Sequence, residues 1–171
     1  MAEKMSDPRE LFLHELGDLL YAEKLLVKTL PKLAQEATDD ELRSGFEEHA
    51  EQTKQHVANL EEAFKAIGEP AKAEKCPGIE GIKKEHDEFV SQESPTPDIL
   101  NGFLTGAAAR TEHYEIAAYE GAITMAKAMG ESEAAGFLEQ NLKQEQETLQ
   151  KVNTIAKRLA QEAAKQVKAS V

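Results

Sequence analysis

Read at steps of three and four residues, the chain resolves into four long segments, each carrying one apolar stripe. The first stripe is Phe12, Leu16, Leu19, Glu23, Leu26, Leu30 and Leu33; the second is Phe46, His49, Thr53, His56, Leu60, Ala63 and Ile67. The third is Leu104, Ala108, Thr111, Glu115, Ala118, Ala122 and Met125, with Glu112 close to the same face. The fourth is Leu138, Asn141, Glu145, Thr148, Val152, Ile155 and Leu159. Local punctuation sets the bounds. Asp7 before Pro8 reads as an N-cap with proline at the first helical position, and predicts a helix over about 8–37. Thr38-Asp39-Asp40 reads as a turn whose acidic residues cap a second helix over about 40–67, stopped by Gly68 and Pro70. Gly130 closes a third helix over about 97–129, and a fourth runs over about 132–165 with a frayed end beyond. Pro31 falls inside the first helix and is expected to kink it.

The connections at 38–40 and 130–131 are short, so each joins two neighbouring antiparallel helices. The stretch over 68–96 is long and rich in Gly, Pro, Ser and charge, and Gly81–Val90 within it predicts a short helix seated on Ile82 and Phe89. Two hairpins joined by one long crossover give the expected fold class: all-α, a four-helix bundle with ferritin-like connectivity, as one domain over residues 1–171.

Every stripe is broken near its middle by groups able to bind a metal, and the breaks share a height. Glu23 precedes the first turn by about fifteen residues, while Thr53 and His56 follow it by about fifteen; Glu115 and Glu145 bracket Gly130 in the same way. A shift of 92 positions carries Glu23 onto Glu115, Thr53 onto Glu145 and His56 onto Thr148 with the stripes in phase, a pseudo-repeat of two hairpins. Several carboxylates at one buried level would lose solvation and repel one another, and a cation cancels both penalties. Carboxylate oxygen with some imidazole nitrogen suits iron or manganese, and less specifically zinc. A two-metal bundle site is built from one Glu on each of two helices and Glu-x-x-His on each of the others. Here Thr53-x-x-His56 and Glu145-x-x-Thr148 each keep half of that motif, and His49-x-x-Gln52 is a further candidate in reversed order.

Composition narrows the partners. A net charge of -12 argues against direct nucleic-acid binding, which needs a basic face. Cys76 is the single cysteine, so no intrachain disulfide forms and a reducing compartment is expected. Residues 1–15 carry no apolar run resembling a signal peptide, and no stretch approaches a membrane span, so a cytoplasmic location is expected. His14 and His86 read as solvent-facing, and Cys76 before Pro77 as an ordinary thiol; Tyr21 and Tyr119 are candidates to lie near the centre.

At Asp18-Leu-Leu-Tyr-Ala-Glu-Lys24, then Leu30-Pro31-Lys32-Leu33-Ala34, the chain resembles the YciF-like family of bacterial ferritin-like stress proteins. The resemblance continues through His49-x-x-Gln52-Thr53, Leu60-x-x-x-Phe64-x-x-x-Gly68 and Lys75-Cys76. Its most specific stretch is Glu112-His113-Tyr114-Glu115-Ile116-Ala117-x-Tyr119, and it ends near Leu142–Glu145. It implies a ferritin-like bundle, often a homodimer, tied to stress responses and to a di-iron or related metal centre. By position it implies the ligands Glu23, Glu112, Glu115 and Glu145, with His49 and Gln52. The family often has Glu at position 52 and Asp at 149, where this chain has Gln52 and Leu149; both departures remove negative charge near the centre.

The expected function is therefore a cytoplasmic stress-response protein with one or two iron or manganese ions held by Glu23, His49, Gln52, His56, Glu112, Glu115 and Glu145, oxidising Fe(II) with oxygen or peroxide. The alternative is a non-enzymatic structural or interaction bundle with a degenerate site. Mineral storage would need a hollow shell, for which the sequence carries no signal.

Overall fold

The computed structural model describes residues 5–169, and they form five helices. These are α1 (Pro8–Glu36), α2 (Asp40–Ala66), α3 (Pro77–Glu93), α4 (Pro97–Ala128) and α5 (Ser132–Ala169). Capping explains the boundaries. The Asp7 carboxylate accepts from the Arg9 amide at 2.9 Å while Glu10 reaches back, closing a capping box over α1. Asp39 accepts from the Leu42 amide at 3.0 Å at the start of α2. Gly68 and Gly130 end α2 and α4 at φ 75° and 81°, where the amides of Glu69 and Glu131 return to the carbonyls of Phe64 and Ala126. α1 continues through Pro31 to Glu36.

The four long helices pack in the cycle α1–α2–α5–α4, and α3 lies against α4. α3 corrects the sequence expectation: a helix of 17 residues occupies most of the stretch read as linker, where only Gly81–Val90 was expected to be helical. Pro77 explains its earlier start, since proline is favoured at the first helical position and Cys76 before it is extended. α5 likewise runs to Ala169, past the end of the apolar pattern.

The core is divided in two. Phe12, Leu16, Leu20, Leu60, Phe64 and Leu138 anchor one apolar cluster. Leu26, Leu30, Leu42, Phe46, Leu104 and Ile155 anchor the other. Along every long helix the sequence passes from one cluster to the other through a buried polar stretch: Glu23 on α1, Thr53 and His56 on α2, Glu112 and Glu115 on α4, Asn141 and Glu145 on α5. At one end of the molecule Arg9 donates to the Ile67 carbonyl at 2.8 Å, to Glu131 at 3.1 Å and to Glu69 at 3.3 Å. At the other end Arg158 donates to Asp39 at 2.7 Å and to Glu41 at 3.1 Å.

The segment before α3 crosses α1 at Gly17, whose carbonyl accepts from the Glu74 amide at 2.9 Å. A Cβ at Gly17 would meet the Lys72 carbonyl oxygen at 2.9 Å, whereas one at Gly45 on α2 meets nothing within 4 Å. Gly17→Ala should therefore destabilise the protein by about 1–3 kcal/mol through overpacking against backbone. Gly45→Ala should stabilise it by roughly 0.5–1 kcal/mol through helix propensity. Urea denaturation of the two variants checks the opposite signs.

Candidate metal centre

Six acidic and imidazole side chains meet in the layer between the two apolar clusters. α1 contributes Glu23, α2 contributes His49 and His56, α4 contributes Glu112 and Glu115, and α5 contributes Glu145. The spacing of seven between the histidines is two helical turns, and the spacing of three between the α4 glutamates is about one, so each pair shares a face. Glu23, His56, Glu115 and Glu145 have 0% exposure, and Glu112 and His49 are nearly as enclosed. Their donor atoms form two groups, each within 4.8 Å throughout: His49, Glu112, Glu115 and Glu145 in one, Glu23, His56 and Glu145 in the other. Glu145 belongs to both.

Both imidazoles are oriented from behind. His56 Nε2 donates to Gln144 Oε1 at 2.8 Å, which leaves Nδ1 2.9 Å from Glu145 and 3.3 Å from Glu23, outside hydrogen-bonding geometry. His49 Nδ1 faces Gln52 Oε1 at 3.3 Å and Thr148 Oγ1 at 3.4 Å. Its Nε2 then points at Glu112, 3.4 Å away, and Glu145, 3.6 Å away. In each ring the outward nitrogen faces an amide oxygen, an arrangement that with a cation bound would keep the proton on that side and turn the inward lone pair to the ion. Histidines that bind metals are held in this way by an amide or carboxylate behind them.

A hydrogen-bonded chain sets Glu23. Gln55 donates to Asn59 at 2.9 Å, Asn59 to Asn141 at 2.7 Å, and Asn141 to the Tyr119 hydroxyl at 3.0 Å, which donates to Glu23 Oε1. Asn141 also donates to the His56 carbonyl at 3.1 Å, tying α5 to α2.

The inward-facing atoms are left over. Among the described residues, every buried side-chain nitrogen or oxygen without a hydrogen-bond partner belongs to these six residues, and both oxygens of Glu115 and of Glu145 are among them. Native interiors pair such groups almost without exception. Burial pushes the carboxyls of Glu112 and Glu115 well above the ordinary glutamate range, and neighbouring carboxylates add to the shift. Burial raises Glu23 as well, although His56 and Tyr119 oppose it. Burial works against the His56 cation, yet the adjoining Glu145 and Glu23 carboxylates outweigh it and push this imidazole up to about 10. Burial likewise works against ionised Glu145, but His56, Glu112 and His49 hold it down to about 2. Burial thus favours the protonated forms of Glu112 and Glu115, and a divalent cation would compete with those protons. The oxygen-rich set with two prepared imidazole nitrogens fits iron or manganese, and zinc less specifically.

The structure separates the sequence candidates into two roles. Glu23, His49, His56, Glu112, Glu115 and Glu145 converge, while half-buried Gln52 lies behind His49, in the orienting position. Thr53 donates to the His49 carbonyl of its own helix at 2.8 Å, and Thr148 sits with Gln52 behind His49. Asn59 and Gln144 escaped sequence reading, because a single amide beside a charged stripe has no spacing of its own. Tyr119 reaches the centre, but Tyr21 bonds to Glu80 on α3. One expectation is corrected. His86 is buried, because α3 lays it against Glu36 with Nε2 to Oε2 at 2.7 Å. Cys76 is also buried, 3.0 Å from the Tyr114 hydroxyl, and burial raises its thiol pKa. His14 is exposed.

Fold and site together define an all-helical protein with a buried carboxylate–imidazole layer. Residues 7–165 match the family described as Domain of unknown function (DUF892), and the chain belongs to that family. It is 30% identical over 153 residues to Protein YciF of Escherichia coli (strain K12), covering 89% of this chain and 92% of that one. The crystal structure of the E. coli stress protein YciF superposes with a TM-score of 0.87 at 30% identity, covering 92% of this chain and 99% of that one. YcfI from Rhodopseudomonas palustris superposes with a TM-score of 0.87 at 34% identity, covering 90% and 98%. A protein from Xanthomonas campestris, 20% identical with a TM-score of 0.73, covers 95% and 99% and shares the fold. Among the described residues no helix is long and apolar enough to cross a membrane.

A carboxyl whose pKa is raised in the folded state stabilises while protonated, and that contribution is lost as pH rises from 4.5 through the folded value. The metal-free protein should lose stability in this direction. Glu115→Gln, which cannot ionise, should be more stable than the parent by roughly 1–3 kcal/mol at pH 8 and by less at pH 5. Urea melts of metal-free protein at the two pH values check both the sign and the trend.

Proposed function

We propose that this chain is a ferritin-like four-helix bundle protein that holds one or two iron or manganese ions in its central layer and serves the stress response of the cytoplasm. The observation that carries this reading is the set of inward atoms without a hydrogen bond. A purely structural polar layer would pair both oxygens of Glu115 and of Glu145. Among the described residues, however, Glu115 has no partner, and Glu145 meets the His56 and His49 imidazoles outside hydrogen-bonding geometry. Glu23, His56 and Glu145 would hold one ion; His49, Glu112 and Glu115, with Glu145 shared, would hold the other. When bound, iron supplies one-electron chemistry toward oxygen or peroxide at an open position. The protein's own part is to fix the donors. Gln144 and Gln52 face the outward nitrogens of His56 and His49, and Tyr119 holds one oxygen of Glu23 and leaves the other without a partner. The two flanking apolar clusters keep bulk water from competing for these positions. The similarity to a stress protein of E. coli supports the physiological setting, and the single buried cysteine accords with a reducing compartment.

One observation favours the rival, a structural bundle with a degenerate site. Thr53 and Thr148 occupy positions where the two-metal template would place a glutamate and a histidine.

Anaerobic Fe(II) loading followed by elemental analysis separates the two. One or two tightly held ions per chain are expected, with a melting temperature that climbs with metal concentration. At a hundredfold excess over Kd the stabilisation should reach about 2.7 kcal/mol. A Glu115→Ala, Glu145→Ala double variant should retain no metal and show no such climb. Metal-free wild type whose melting ignores Fe(II), Mn(II) and Zn(II) alike would establish the rival.

A further inference from the structure

A cavity of about 40 Å³ lies beside the carboxylate layer, enclosed by α1, α2, α3 and α4. Its walls are Leu26, Leu30, Phe46, Ile79, Ile82 and Ala107. At the inner end stand His49 and Glu112, and their inward atoms, His49 Nε2 and Glu112 Oε2, have no hydrogen-bond partner. The outer end reaches Lys83 and His86 on α3. α3 covers the cavity and is attached by side chains: Cys76 to Tyr114 at 3.0 Å, His86 to Glu36 at 2.7 Å, and Phe89 stacked on Phe103 with centroids 3.8 Å apart. A smaller cavity of about 20 Å³ meets the same His49–Glu112 pair from the α2–α5 side, where Glu48, Gln52 and Lys151 line it.

Size and chemistry select the occupant of the larger cavity. Engineered apolar cavities of about 150 Å³ admit benzene, so one of about 40 Å³ is limited to a few atoms. Between its two ends the wall is almost all aliphatic and aromatic carbon. The hydroxyls of Thr29 and Thr111, which also line it, donate to the Leu25 and Ala107 carbonyls of their own helices. A molecule that must keep hydrogen bonds would therefore be stripped of water with little return. Peroxide is such a molecule; dioxygen is not. An ion is excluded more strongly still.

We propose that this cavity is a dioxygen-binding pocket that delivers the gas to the His49–Glu112 side of the centre, a route that admits oxygen and not peroxide. The pocket stands on its own geometry, while its purpose rests on the metal reading, and the experiment separates the two. Xenon, an apolar probe, is applied under pressure to crystals of the metal-free wild-type protein and of two filling variants, Ala107→Val and Thr29→Leu. One xenon atom is expected among Leu30, Phe46 and Ile79 in the wild type, and none in a folded filling variant. The same variants are then loaded with Fe(II) and oxidised. Filling the pocket should slow oxidation by dioxygen at least about tenfold and leave the peroxide rate within about twofold, with the metal content unchanged. Metal bound without a xenon site, or oxygen rates indifferent to filling, overturns the pocket. Xenon seated in a chain that binds no metal upholds the pocket and overturns the metal reading.

Discussion

Four carboxyl groups share one dry layer with two imidazoles, and the structure is organised around that constraint. Ionised together and alone, the four glutamates would repel one another in a medium that solvates none of them. The fold meets the difficulty in two ways. His56 stands between Glu23 and Glu145 as a counter-charge, and burial favours the protonated forms of Glu112 and Glu115. Hydrophobic residues above and below the layer hold the helices together where the layer cannot. The division of the core into two clusters is the direct result, since no apolar contact can cross the level of Glu23, His56, Glu115 and Glu145.

The two halves of the chain do not contribute alike, despite the register that relates them. The first hairpin supplies both imidazoles and one carboxylate, and the second supplies three carboxylates. The donor groups are correspondingly unequal: one histidine with three glutamates, and one histidine with two, of which Glu145 is common. Two ions bound here would occupy chemically distinct positions. The more acidic group adjoins His49, beside Gln52 and Thr148; the other is embraced by the Tyr119–Asn141–Asn59 chain.

Much of this was legible in the sequence because long-range order in a helical protein is carried by a short-range period. The interruption of each apolar stripe near its middle brought Glu23, His49, His56, Glu115 and Glu145 together, with Glu112 close to the same face. Caps and stops were equally readable, since Asp7-Pro8, Asp39, Gly68 and Gly130 act within one turn of themselves. What escaped depends on contacts between distant segments. Gln144 orients His56 from another helix, and Gln52 turned out to stand behind a ring that spacing alone made its equal. His86 became buried only because α3 lies over the bundle, and α3 was underestimated because its apolar residues are few and Gly78 and Gly81 dilute its pattern.

Arg9 and Arg158 take on a meaning beyond that of exposed ion pairs. One guanidinium fastens the end of α2 to the turn between α4 and α5, and the other fastens the start of α2 to α5. Ion pairs at such exposure add little to stability. Their geometry instead fits one register only: one turn of slip would move a helix by about 5.4 Å, enough to part these pairs and to carry Glu145 out of line with His49 and His56. The two arginines sit as end markers of the register that brings the four helices' polar positions to one level.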